Sequence, residues 1–295
     1  MRSDYDIHEV RPYINWTYFY HAWGVAADRL EDERIRLRAD ADQVLDDMDG
    51  RFQTHSLFLL MPAASDGDDI VLPEARLPML RQQGGEGTSL CMADFIKPIG
   101  ATGKVVWNAE DESSTHDSTS HVPDISTHIG LFAASVDAHF TDGDASSDDY
   151  RQLLLQTLAD RLAEATTERL HQRVRREFWG YAPDEQLTMD ELHQERFQGI
   201  RPAVGYPSLP DMSMNFVLDT LLDMQQIGIR LTESGMMQPH ASVSGLMLAH
   251  PEARYFDVGR IGPDQLLDYA RRRHIPAERL RAFLRVGKPD EHSTQ

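Results

Sequence analysis

Cysteine is almost missing from this chain: Cys91 stands alone among 295 residues. A single thiol cannot close an internal disulfide, so the chain suits a reducing compartment and is expected in the cytoplasm. Lysine is nearly as scarce, with only Lys97, Lys104 and Lys288 present, so arginine carries most of the positive charge. Positive charge as a whole is short. Lys and Arg number 29 against 48 Asp and Glu, a formal net charge of −19. Such a surface repels phosphate backbones and anionic lipid, which argues against binding nucleic acid or a membrane face. Long apolar runs are lacking too. Leu57 to Pro62 is the longest, far short of the roughly 18 residues that span a bilayer. No basic start followed by an apolar stretch marks a secretory signal.

The familiar chemical motifs are also absent. Gly84-Gly-Glu-Gly87 has no following Lys-Ser/Thr, so it reads as a turn and not as a phosphate loop. His116, His121 and His128 have neither cysteine companions nor regular spacing, so no metal site is expected. No Gly-x-Ser-x-Gly elbow occurs, and Cys91 lacks the local signature of a nucleophile.

What is present is ordinary globular material, 41% apolar and 26% charged, with length enough for one large domain or two smaller ones. The aromatic-dense stretch Tyr13 to Val25 suits strands and packed turns. Helix is expected from about Ala26 to Met48, ended by Asp49-Gly50. Thr54 to Pro62 reads as a strand, followed by a hairpin turn at Asp66-Gly67 and a return at Ile70 to Leu72. Ser89 to Ile96 and His128 to Val136 are further strand candidates. Ala109 to Asp124 is almost wholly Ser, Thr, Asp, Glu and His, so it reads as a polar insertion without a core of its own, bounded at about 104–125. The strongest helix runs from Tyr150 to about Phe178, with leucines at helical spacing and Asp148-Asp149 at its start. Asp190 to Glu195 and Asn215 to Gly228 are helical, and Pro202 to Pro210 is an extended loop. Ile229 to Ser234, Ser242 to Leu248 and Tyr255 to Ile261 read as strands. Two proline-opened helices close the chain, Pro263 to Arg273 and Pro276 to Leu284.

Five segments in linear order narrow the reading. They are Arg11-Pro-Tyr-Ile-Asn-Trp-Thr17, Ala93-Asp-Phe-Ile96, Leu158-Ala-Asp-Arg-Leu-Ala-Glu-Ala165, Gly199-Ile-Arg-Pro-Ala-Val-Gly-Tyr-Pro207, and Leu231-Thr-Glu-Ser234 with Ala241-Ser-Val-Ser-Gly245. Trp179-Gly-Tyr-Ala182, and Asp264-Gln265 with Asp268-Tyr-Ala-Arg271, agree with them. Together they resemble the activation domain of cobalamin-dependent methionine synthase over about residues 10 to 285.

The resemblance implies an α+β fold, a twisted antiparallel β-sheet with flanking helices, unlike the Rossmann methyltransferases, in one domain spanning 1–295. It implies S-adenosylmethionine as the ligand, and cobalamin as a cofactor carried by a partner methionine synthase chain. The domain then supports reductive methylation of cob(II)alamin, with an electron from a flavodoxin-like donor. At about one domain's length, the chain is expected to act in trans and not to make methionine by itself. Two alternatives stand beside this: a sensor or scaffold that binds S-adenosylmethionine without turnover, and a reactivator of another corrinoid methyltransferase. Carried over by position, Arg201 holds the ligand's carboxylate through its guanidinium fork. Ala203 and Gly205 let the backbone approach the ligand, Glu164 takes a polar end, and Tyr255 packs near the nucleoside. Tyr206 faces the corrin and is the one catalytic candidate. Asn15 stands where the family usually has aspartate, which predicts weaker grip on the ligand's ammonium. Leu246-Met-Leu248 replaces a usual aromatic run, and Gln238 and His240 are further departures.

Overall fold

A computed structural model describes residues 1–25, 31–83, 89–100, 124–140 and 148–284. The glycine cluster at 84–87, and all but the last two residues of the insertion expected at 104–125, lie outside the described residues. In chain order the elements are β1 (Arg2–Asp6), α1 (Ile7–Val10), α2 (Trp16–Ala22), α3 (Glu31–Met48), β2 (Gln53–Pro62), β3 (Ala64–Asp66), β4 (Asp69–Val71), β5 (Arg76–Pro78), β6 (His128–Val136), α4 (Asp149–Arg173), α5 (Met189–His193), α6 (Met214–Leu222), β7 (Arg230–Leu231), β8 (Met237–Gln238), β9 (Ser242–Met247), α7 (Pro263–Arg273) and α8 (Ala277–Phe283). This is the expected α+β architecture. A four-stranded sheet has the order β1-β2-β6-β9. β1 and β2 pair antiparallel, from Arg2 opposite Leu57 to Asp6 opposite Gln53. Every residue of β6 after His128 is buried, as in a strand covered on both faces.

The chain divides into two compact units. The first comprises Met1–Leu59, Leu131–Phe197 and Leu218–Ser244. Its longest helix, α4, starts where the Asp148 carboxylate accepts the Tyr150 N–H at 3.1 Å, a side-chain cap on an otherwise orphaned donor. Leu154, Leu155, Leu158, Leu162 and Leu170 are all buried along it, each contributing about 1.5–3 kcal/mol of apolar transfer free energy. The helix widens into a single π turn at Val174–Phe178. There the buried Arg175 guanidinium donates to both Glu185 oxygens at 2.7 Å. On the sheet, the His55 ring lies between Asp4, 2.6 Å from Nδ1, and Asp137, 2.9 Å from Nε2, tying β1 and the end of β6 to β2.

The second unit comprises Leu60–Gly130, Gln198–Val217 and Gly245–Gln295. β3, β4 and β5 form a small antiparallel sheet; the turn lies at Asp66–Asp69 as expected, but the return pairs with β3 and not with the Thr54 to Pro62 strand, which lies between β1 and β6. α7 begins at Pro263, the helix position where a missing N–H costs nothing, and ends at His274 in the left-handed region. It buries Leu266, Tyr269 and Ala270. Beneath it Asp211, 1% exposed, accepts from the Tyr269 hydroxyl at 2.8 Å, from Arg273 Nε at 3.2 Å and from the Ser213 N–H at 2.8 Å.

Three sequence expectations are overturned. Tyr13 to Val25 is helical, not extended: α2 carries it from Trp16. Its aromatics at 16, 19, 20 and 23 follow helical spacing, and this pattern outweighs their strand preference. Ser89 to Ile96 is no strand but holds a 3-10 turn, Met92–Phe95. Asp94 closes that turn by accepting the Cys91 N–H at 2.9 Å while also pairing with Arg81. Tyr255 to Ile261 is irregular, because its backbone groups find separate partners and no ladder. The Asn215 to Gly228 helix is interrupted at Asp223, which is left-handed (φ 53°), before a 3-10 turn at Met224–Ile227.

Candidate functional site

The first unit carries Asn15 and Glu164. Asn15 is half-buried and N-caps α2, its side-chain oxygen accepting the Thr17 N–H at 3.1 Å. The fold thus gives the oxygen expected to meet the ligand's ammonium one donor of its own. Glu164 lies near the middle of α4, half-buried between the buried Ala163 and Ala165. One turn earlier Asp160 stands 3.2 Å from the ring Nδ1 of His240. The His240 side chain is 83% exposed, so this departure from the family pattern is a surface pair.

The second unit brings the other candidates together. Ile200 and Leu248 exchange backbone hydrogen bonds at 2.9 Å in both directions. Leu246 N–H donates to the Pro202 carbonyl at 3.0 Å, and Ala203 lies opposite Gly245. Residues 200–203 therefore run antiparallel to the continuation of β9, which fixes Arg201 and Ala203 on a rigid edge. The chain then turns. Gly205 has φ 89°, a conformation that a side chain would strain. Its N–H donates to the Leu209 carbonyl at 2.8 Å, and Leu209 N–H returns to the Tyr206 carbonyl at 2.9 Å. This closes a tight loop that holds the Tyr206 side chain outward, 53% exposed.

Tyr255 reaches the same loop from a remote segment. Its hydroxyl accepts the backbone N–H of Arg201 at 3.0 Å, so two candidates separated by 54 residues are neighbours. Because the bond uses the Arg201 main chain, it places no demand on the guanidinium. Val258 N–H donates to the Pro207 carbonyl at 3.1 Å. The buried Ser208 hydroxyl donates to the Phe256 carbonyl and accepts the Phe256 N–H at 3.2 Å. Sequence reasoning passed over Ser208 and the anchor at Asp211. A serine in a proline-rich loop carries no periodicity, and an isolated aspartate does not announce an arginine 62 positions away.

Leu246, Met247 and Leu248 are all buried, at 0%, 1% and 1% exposure. In this chain the replaced aromatic run therefore belongs to the core. No cluster of three or more metal-ligating side chains occurs among the described residues. No helix among them is long and apolar enough to cross a membrane.

Comparison with known proteins bears on the family and the fold. Residues 6–274 match the family model described as the vitamin B12 dependent methionine synthase activation domain. A solved structure described as the MetH reactivation domain bound to AdoHcy is similar, with a TM-score of 0.84 and 33% sequence identity. That likeness covers 98% of this chain and 90% of the other.

Proposed function

From the premise that the chain belongs to the activation-domain family of vitamin B12 dependent methionine synthase, we propose that it binds S-adenosylmethionine and supports reductive methylation of cob(II)alamin held by a partner chain. The observation that carries this reading is the meeting of Arg201 and Tyr255 beside the Gly205 turn. The donor set fits the ligand. The Arg201 guanidinium offers a planar fork to a carboxylate, and the Tyr255 ring offers a face to the nucleoside. The Ala203–Gly205 backbone is available for close approach. S-adenosylmethionine supplies the methyl group, and the corrinoid chemistry belongs to the partner. What this chain contributes is binding and orientation, with the exposed Tyr206 ring as the group turned to the corrin.

The same reading includes action in trans on a cobalamin-carrying methionine synthase chain, with a flavodoxin-like protein as electron donor. Asn15 in place of the family's usual aspartate motivates one second reading, an S-adenosylmethionine sensor without turnover. One experiment separates them. S-adenosylmethionine is titrated into the purified chain by calorimetry. A cobalamin-loaded synthase lacking its own activation domain is then added with a reductant, and the methylcobalamin spectrum is followed. Saturable binding with recovery of methylcobalamin is expected. Binding without recovery refutes action on methionine synthase, and no binding refutes both.

A further inference from the structure

We propose that Ser208 is a positioning residue, whose hydroxyl fastens the Tyr255 segment to the Arg201–Pro210 loop and so presets the ligand-facing pair before any ligand arrives. The inference rests on the function proposed above and deepens its site. Three ties join the segment from 255 to 258 to this loop, and Gln83 N–H donates to the Val258 carbonyl at 3.3 Å from outside it. The Tyr255 hydroxyl meets the Arg201 N–H at 3.0 Å. Val258 N–H meets the Pro207 carbonyl at 3.1 Å. Between them, Ser208 Oγ serves both polar groups of the Phe256 backbone, donating to the carbonyl and accepting the N–H at 3.2 Å.

The segment forms no strand, so no ladder shares this work. A neighbouring strand would satisfy one residue's N–H and C=O with two main-chain groups. Here one hydroxyl, both donor and acceptor, does the same with a single side chain. Ser208 is itself held in place, 8% exposed, inside the turn closed by the Gly205–Leu209 and Leu209–Tyr206 bonds. Phe256 is equally buried, at 8% exposure. Water therefore replaces the lost hydroxyl poorly, and a buried peptide left without its partner moves to find another. Tyr255 is the adjacent residue, and any shift of Phe256 is transmitted to its ring and to the Arg201 contact.

The test compares Ser208→Ala, Ser208→Val and Ser208→Thr in the full chain. Threonine and valine match in volume, and threonine alone retains the hydroxyl. The first measurement needs no ligand: hydrogen exchange of individual amides. Exchange at Phe256 and at Arg201 is expected to rise about tenfold in the alanine and valine variants, while β6 and α4 stay unchanged. The second is S-adenosylmethionine affinity, expected to fall about fivefold in the same two variants, a loss typical of one buried hydrogen bond. Threonine restores both. An unchanged Arg201 amide, a uniform rise across the chain, or a valine variant equal to threonine would overturn the proposal. So would faster exchange with undiminished affinity. If the unaltered chain fails to bind S-adenosylmethionine, the functional reading falls. The exchange measurement then decides by itself whether Ser208 holds Tyr255 on Arg201.

Discussion

Replacing Asn15 by aspartate isolates one charge at a position whose structural duty is known. The side-chain oxygen caps α2 through the Thr17 N–H at 3.1 Å. Aspartate caps a helix as well as asparagine does, and a negative charge at a helix N-terminus gains about 0.3–1 kcal/mol from the macrodipole. Asn15→Asp should therefore unfold at the same temperature or slightly higher. Its effect on binding has a different origin. A neutral hydrogen bond contributes about 0.5–1.5 kcal/mol and one to a charged partner about 1.5–3. For a half-buried side chain the difference comes to about 1 kcal/mol, or roughly fivefold in affinity. Calorimetry with three ligands locates the cause. S-adenosylmethionine and S-adenosylhomocysteine both carry the ammonium, and only the first carries the sulfonium. Methylthioadenosine carries neither. A contact with the ammonium predicts an equal gain for the first two and none for the third. A gain confined to S-adenosylmethionine would mean general attraction to a more acidic chain. No gain for any ligand would refute the assignment of Asn15 to the ammonium.

Other perturbations test separate parts of the molecule. Arg201→Lys should weaken S-adenosylmethionine binding about tenfold by losing the bidentate fork. The Tyr255 contact should survive, since it uses the Arg201 main chain; equal affinity by titration would remove Arg201 from the site. Asp4 is partly desolvated, yet hydrogen bonds from His55 and Arg2 hold its carboxyl below the usual 3.8. A folded-state value below the unfolded one adds stability that is complete above that range and fades as pH falls through it. Asp4→Asn should therefore narrow the difference between urea midpoints measured at pH 7 and pH 3, and an unchanged difference would contradict the pairing. Burial first, and neighbouring carboxylates after it, push the Cys91 thiol up to about 12. A thiol-specific disulfide reagent at pH 8 should leave it unmodified until denaturant is added, and rapid labelling of the native chain would show that the site opens readily.

The elements legible in the sequence were those whose signal is local and repeated. The leucines of α4, the Pro263 start of α7 and the Asp66-Gly67 turn each carry their cause within a few residues, and each lies where its pattern places it. Periodicity also held the answer for α2. The aromatics at 16, 19, 20 and 23 fit a helix, against the strand preference of aromatic residues. The failures at Ser89 to Ile96 and Tyr255 to Ile261 have another source. Both segments are apolar enough for strands, and both are shaped by single side chains, Asp94 in one case and Ser208 in the other. Such a bond depends on a partner supplied from elsewhere in the chain, and no window of sequence contains it. The same holds for the site. Motif order was enough to nominate Arg201 and Gly205, and position in the family to nominate Tyr255, but neither gave a reason for Tyr255 to stand at Arg201. That reason lies in the chemistry of the intervening turn. Gly205 takes a conformation that strains other residues, the turn after it carries Ser208 to both backbone groups of Phe256, and the adjacent Tyr255 meets the Arg201 main chain. The ligand-facing pair thus depends on a serine and a glycine that contribute no functional group to the ligand. Substitutions at those two positions should disturb binding as surely as substitutions in the residues that touch it.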